Sequence, residues 1–138
     1  MGKRDEVKLT VPAMPEFLRL ARVTAAGLAS RLGFSFDEVE DLRLAIDELC
    51  YGLTGNQGRE GSVVIRYLLD DDSLTIEGVG RFSTGEKMVA SLRPEMSELS
   101  EVILDALVDE HRFYAGPEGP RFSMLKRRHS GVADDDTL

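Results

Sequence analysis

Residues 34–53 carry the strongest structural signal in the chain, a helix with a marked start and a continuous apolar face. Ser35 and Glu38 fit a capping box, in which each side chain accepts a hydrogen bond from a free backbone amide at the helix start. Apolar side chains then recur at intervals of three and four residues. They are Val39, Leu42, Ile46, Leu49, Cys50 and Leu53. The pattern predicts an amphipathic helix over 36–53.

Weaker patterns on either side predict two more helices and five strands, because stripes spaced by three and four indicate helices and alternation indicates strands. The predicted helices are 15–32, 36–53 and 96–109, and the predicted strands are 6–11, 62–69, 74–80, 111–116 and 121–128. This order favours an α+β fold, a two-layer sandwich with three helices on one face of a mostly antiparallel mixed sheet. The expected core residues are Phe17, Leu20, Leu42, Ile46, Leu49, Val64, Leu74, Ile76, Ile103 and Leu107.

The length of 138 residues is that of one domain. We expect a single domain over 1–128 and a disordered acidic tail over 129–138.

Composition excludes several classes of function. A formal net charge of -8 argues against direct nucleic-acid binding and favours a partner with a basic surface. One cysteine and two histidines are too few for a Cys/His zinc site. No apolar run approaches the roughly 20 residues that span a bilayer, and the charged N-terminus lacks a signal-peptide pattern. The expected location is therefore the cytoplasm, without membrane association.

The adjacent acids Asp47 and Glu48 lie near the end of the predicted helix, just before the glycine-rich loop 54–61. Neighbouring helical residues point about 100° apart, so the two carboxylates do not stack. A carboxylate at the edge of a core can have a raised pKa and act as a general base. A solvated helix flank is the alternative, and the pattern alone favours it.

The stretch "EGVG" at 77–80 closes a predicted strand. Paired glycines permit close approach of the backbone to a ligand. A turn that leaves the sheet explains the same letters equally well.

Taken together, residues 6–128 resemble the anti-sigma-factor serine-kinase family, and its actinobacterial members most. This family belongs to the ATPase superfamily of histidine kinases, gyrase and heat-shock chaperones. The stretch "LTVPAMPEFLRLARVTAAGLASRLGFSFDEVEDLRLAIDE" at 9–48 carries most of the likeness. The resemblance implies a histidine-kinase-like ATPase fold and a protein that binds a sigma factor. It also implies binding of an anti-anti-sigma protein and phosphorylation of a serine on it with ATP and Mg²⁺.

The resemblance assigns the first part of a nucleotide site to the second helix. Glu48 matches the family's catalytic Glu, which orients or deprotonates the attacking hydroxyl. The family's magnesium-binding Asn falls at Gly52, and Asn56, four residues later, is a candidate substitute.

The family's D-x-G-x-G box matches at Gly78 and Gly80, but Ile76 stands where the adenine-reading Asp would be. Loss of such a charge-assisted hydrogen bond costs about 1.5–3 kcal/mol. The family's glycine-rich phosphate turn corresponds to 93–102, which has no glycine and contains Glu95, Glu98 and Glu101.

These departures predict weak or lost ATP binding and a regulator that acts by binding its partners. An active ATP-dependent serine kinase is the alternative, and a regulatory domain paired with an active homologue is a third. An unrelated small α+β protein is the remaining hypothesis, and a homodimer stays open. The candidate partner-facing acids are Glu16, Glu38, Glu40 and Asp41.

Overall fold

The computed structural model of the chain describes residues 4–55, 57–83 and 97–129. These residues form three helices and five strands. The helices are α1 (Pro15–Arg31), α2 (Phe36–Thr54) and α3 (Glu98–Leu107), and the strands are β1 (Asp5–Pro12), β2 (Gly61–Leu69), β3 (Ser73–Phe82), β4 (Glu110–Gly116) and β5 (Gly119–Arg127). The strands lie in the order β1-β2-β3-β5-β4, and all four pairings in the described part of the chain are antiparallel. The predicted α+β fold is confirmed.

Helix α2 begins as its sequence predicts. The Glu38 amide donates to Ser35 Oγ at 3.1 Å, and the Ser35 amide donates to Glu38 Oε1 at 2.9 Å, which completes the capping box. Leu42, Ile46 and Leu49 are fully buried, as predicted. The helix therefore spans the centre of the helical layer.

Helix α1 presents a different face to the core than predicted. Its buried side chains are Leu18 and the alanines 21, 25 and 29. Phe17 is 40% exposed and Leu20 is 47% exposed, so both core predictions are wrong. The small alanines form the packed face of α1, and the larger apolar side chains are left outside.

The sheet buries the face that meets the helices. In β2 the buried side chains are Val63, Ile65, Tyr67 and Leu69, so Val64, a predicted core residue, is only half-buried on the opposite face. Val64 belongs to the same alternate set as Ser62 and Arg66, and these polar side chains mark that set as the outward-facing one. Leu74 and Ile76 of β3 are fully buried, as predicted.

Helix α3 docks through one fully buried side chain, Leu104. The predicted core residues Ile103 and Leu107 are half-buried, because the short helix lies at the edge of the helical layer. Within the described ranges, no helix combines the length and apolarity needed to cross a bilayer.

Candidate functional site

Glu48, the predicted catalytic residue, is half-buried on α2 between the α2 core and α3. Its Oε2 accepts a hydrogen bond from the Ser100 hydroxyl in the first turn of α3. Sequence reasoning missed Ser100. The signal that could have found it is its place three residues after Ser97, within the stretch 93–102 already matched to the phosphate turn.

Asp47 turns to the other side of α2. Its Oδ2 lies 3.0 Å from Arg22 Nη1 of α1, and its side chain is 46% exposed. Desolvation raises the pKa of Asp47, and the nearby charges of Arg22 and Arg43 oppose that rise. Asp47 therefore joins α1 to α2 and does not share a site with Glu48.

Gly52, where the resemblance places the family's magnesium-binding Asn, is exposed near the end of α2. Gly55 follows as the helix C-cap with a φ of 74°, a backbone conformation that favours glycine. Asn56, the candidate substitute, lies outside the described residues. In the ranges 4–55, 57–83 and 97–129, no group of three or more His, Cys, Asp or Glu side chains is arranged to hold a metal ion.

The second box lies on β3 and is packed with apolar side chains. Ile76 is fully buried opposite Met124 of β5, whereas Glu77 points to the open face of the sheet, 3.6 Å from Arg66. A Cβ on Gly78 would lie 2.4 Å from the Phe122 ring, and one on Gly80 would lie 2.5 Å from the Phe82 ring. The space that these two glycines leave is thus filled by the chain's own aromatic rings.

The third box is only partly described, because 93–96 lie outside the described residues. Helix α3 begins after Ser97, whose hydroxyl oxygen accepts a hydrogen bond from the Ser100 amide at 3.0 Å. Glu98 and Glu101 are exposed in the first turn. Acidic side chains at a helix N-terminus stabilise the helix, but here they would also repel a phosphate.

A groove of about 310 Å³ lies between α1 and α2, on the Asp47 side. Leu18, Arg22, Asp47 and Tyr51 are among the residues that line it. Cys50 at its base is buried, and burial raises the pKa of its thiol to about 12, with a further contribution from the charge of Asp47. The thiol is therefore protonated at neutral pH and unsuited to act as a nucleophile.

Comparison with known proteins identifies the family. No family model matches the chain. Serine-protein kinase RsbW of Bacillus pumilus is 36% identical over 150 residues, which cover 96% of this chain and 92% of the relative. The Bacillus subtilis protein of the same name is 30% identical, with the same coverage. This chain belongs to the RsbW family of serine-protein kinases.

A solved structure agrees on the fold. A Mycobacterium tuberculosis protein with RsbU and RsbW domains matches with a TM-score of 0.62 over 89% of this chain and 32% of its own. At 18% sequence identity, this likeness speaks to the fold alone. Family membership confirms the resemblance recognised in residues 6–128.

The described contacts do not bring the predicted site residues into one cluster. Glu48 contacts α3 through Ser100, whereas Gly78 and Gly80 accommodate rings of the sheet. Gly52 carries no side-chain amide and Ile76 carries no carboxylate, the groups that the resemblance leads one to expect at these two positions. Among the acids expected to face a partner, Glu38 is 8% exposed, and its Oε2 accepts the His129 amide at 2.8 Å. The prediction that Glu38 belongs to the partner surface is wrong, because the capping box draws it inward.

Proposed function

We propose that the chain is an anti-sigma-type regulator that binds a sigma factor and an anti-anti-sigma antagonist in a partner switch. The observation that carries this proposal is the match with serine-protein kinase RsbW over 96% of the chain. Homology that runs the full length of the domain includes its surfaces as well as its core, so a binding role shared with the family is the simplest account of the chain.

The outer face of α1 supports a protein-binding role. Phe17, Leu20 and Val23 are 40%, 47% and 63% exposed, and they follow one another at intervals of three residues along the helix. Contiguous exposed apolar side chains are typical of interaction sites. The groove beside Arg22 adds charged side chains on the side of α1 that meets α2.

Acidic side chains add electrostatic selectivity for a basic partner face. Glu16 and Glu40 remain accessible, and Asp41 is 39% exposed, 3.7 Å from Lys126 Nζ. Such charges act mainly on the association rate, which falls as salt shortens their reach to about 8 Å at physiological ionic strength.

ATP binding is weak or lost in this proposal. Gly52 has no side chain to hold magnesium, buried Ile76 cannot accept a hydrogen bond from adenine, and α3 begins with two exposed acids. Magnesium neutralises phosphate charge during phosphoryl transfer. Three positions match the family's site: Glu48 with its carboxylate, and the glycines Gly78 and Gly80.

The first experiment uses surface plasmon resonance to measure the binding of this chain to purified sigma factors and anti-anti-sigma antagonists from the source organism. Leu20→Asp should weaken binding at least about tenfold, since a charge would enter an apolar contact. Leu44→Asp is the matched control, because Leu44 is 56% exposed and belongs to α2, not to the α1 stripe. Failure of every sigma factor and antagonist to bind would overturn the proposal.

The second experiment separates the binding role from the alternative of an active kinase. A ligand at 100 times its Kd stabilises a protein by about 2.7 kcal/mol, and we expect Mg-ATP at millimolar concentration to give no such thermal shift. Radiolabelled ATP with the antagonist should give no phosphoserine. Robust labelling that Glu48→Ala abolishes would instead establish the serine kinase.

A further inference from the structure

A directed chain of hydrogen bonds runs from the cap of α3 to Glu48. The Ser97 hydroxyl donates to Ser100 Oγ at 3.1 Å, and the Ser100 hydroxyl donates in turn to Glu48 Oε2. Each hydroxyl uses its one proton in the same direction, towards the carboxylate. Successive hydrogen bonds polarise one another, so the bond to the carboxylate is the strongest of the chain.

The bond from Ser100 to Glu48 is important for holding the first turn of α3, because the neighbouring side chains are exposed. Leu104, four residues after Ser100 and on the same face, is the fully buried side chain of the helix. Leu99 and Val102 are 67% and 64% exposed and contribute little to docking. In the first turn, residues 98–101, no side chain is buried, so that turn opens at small cost and the loss of one polar contact changes its open population measurably.

We propose that Ser100 acts as an internal latch on Glu48: it holds the first turn of α3 against α2 and sets how often that turn opens. The chain's own Ser100 hydroxyl thus occupies the Glu48 carboxylate. In the family, the catalytic Glu interacts instead with a serine hydroxyl of a partner. The idea that a partner's serine competes with Ser100 rests on the proposed function. The latch itself does not.

The test is amide hydrogen exchange, followed by mass spectrometry on the full chain. Ser100→Ala should raise exchange in residues 98–107 by about tenfold, the size expected for a lost hydrogen bond to a charged group. Glu48→Ala should give the same rise, and the double variant should give no more than either single variant. Exchange in β2 should stay unchanged in all three.

Conservative variants distinguish the latch from general loosening. Ser100→Thr keeps the hydroxyl and should restore slow exchange, whereas Glu48→Asp keeps the charge, shortens the reach and should not. Leu99→Ala, which shortens a 67% exposed, uncharged side chain in the same turn, is the matched control and should exchange like the wild type. Unchanged exchange in Ser100→Ala, or single effects that multiply in the double variant, would overturn the latch.

The functional consequence has its own readout. If a partner's serine competes with Ser100, Ser100→Ala should bind the antagonist severalfold more tightly than the wild type, because the Ser100 hydroxyl no longer occupies the Glu48 carboxylate. Coupled exchange without binding of any sigma factor or antagonist would leave the latch standing and refute the proposed function. Antagonist binding with uncoupled exchange would do the reverse.

Discussion

Asp47 and Glu48 are neighbours in sequence, yet their carboxylates contact different helices. Asp47 pairs with Arg22 of α1 at 3.0 Å, and Glu48 accepts a hydrogen bond from Ser100 of α3. The 100° step of the α-helix separates the two side chains. Helix α2 therefore ties the helical layer together on both flanks, and only Glu48 remains a candidate for chemistry.

The central position of α2 predicts a large cost for truncating its core side chains. Ile46 is fully buried, so Ile46→Ala should lower the free energy of unfolding by about 2–5 kcal/mol through lost burial and a residual cavity. Leu44→Ala, at a 56% exposed position on the same helix, should change it by less than about 0.5 kcal/mol. Urea denaturation checks both values, and equal costs would contradict the packing described.

Gly78 is expected to be needed for packing, whatever its role towards a ligand. A Cβ at this position would lie 2.4 Å from the buried Phe122 ring, so Gly78→Ala should destabilise the chain by about 1–3 kcal/mol. Gly27 of α1 offers the control, since its Cβ would meet nothing within 4 Å. Gly27→Ala should stabilise the chain by about 0.5–1 kcal/mol, because alanine favours the helix. Thermal unfolding measures both variants. A change of stability in the same direction for the two substitutions would refute the packing argument.

Lys126 is a buried cation that connects β5 to the end of α3. Its side chain is 9% exposed, and its Nζ donates to the Leu107 carbonyl at the end of α3 at 2.7 Å. Lys126→Met should cost about 1–3 kcal/mol, because it leaves that carbonyl without the donor. Arg127→Met is the control: Arg127 pairs with Glu110 at 3.5 Å on the surface, and its loss should cost at most about 0.5 kcal/mol. Chemical denaturation that ranks Arg127 above Lys126 would contradict this assignment.

Asp109 should make stability depend on pH in acid. Burial alone would raise the pKa of this carboxyl, but hydrogen bonds from the Arg127 amide and His129, with the charges of His129 and Lys126, bring it below its ordinary value of 3.8. A lowered folded pKa stabilises the fold above the unfolded value, and the contribution is lost as the pH falls through the folded value. The difference in free energy of unfolding between wild type and Asp109→Asn should therefore be largest above about pH 4 and should shrink as the pH falls below it. Urea midpoints from about pH 6 to about pH 3 provide the measurement, and a constant gap would contradict the shift.

The second helix shows how far local chemistry reaches. The capping box at Ser35 and Glu38 and the apolar stripe predict a helix over 36–53, and the structure has it at Phe36–Thr54. The strand boundaries follow from alternation in the same way. The family also follows from sequence, because Glu48 and the long opening stretch were sufficient to recognise the resemblance that the RsbW relatives confirm. The predicted roles of Gly52, Asn56, Gly78 and Gly80 towards ATP remain predictions.

Tertiary packing decided what periodicity left open. Helix α1 has two apolar stripes. The alanine stripe packs in the core, and Phe17 and Leu20 on the other stripe lie outside it. In β2, by contrast, Arg66 lies in the same alternate set as Val64, so the sequence itself indicates that Val63 and its set face inward.

By itself, the sequence determined the order and type of the elements, since capping, alternation and helical spacing act between residues a few positions apart. Only the tertiary structure decided that Glu48 meets Ser100, 52 positions away. It also decided that Glu38 turns inward to His129 and that Phe122 fills the space beside Gly78. Such contacts depend on how helices and strands approach one another, and that approach is fixed by the packing of the whole core.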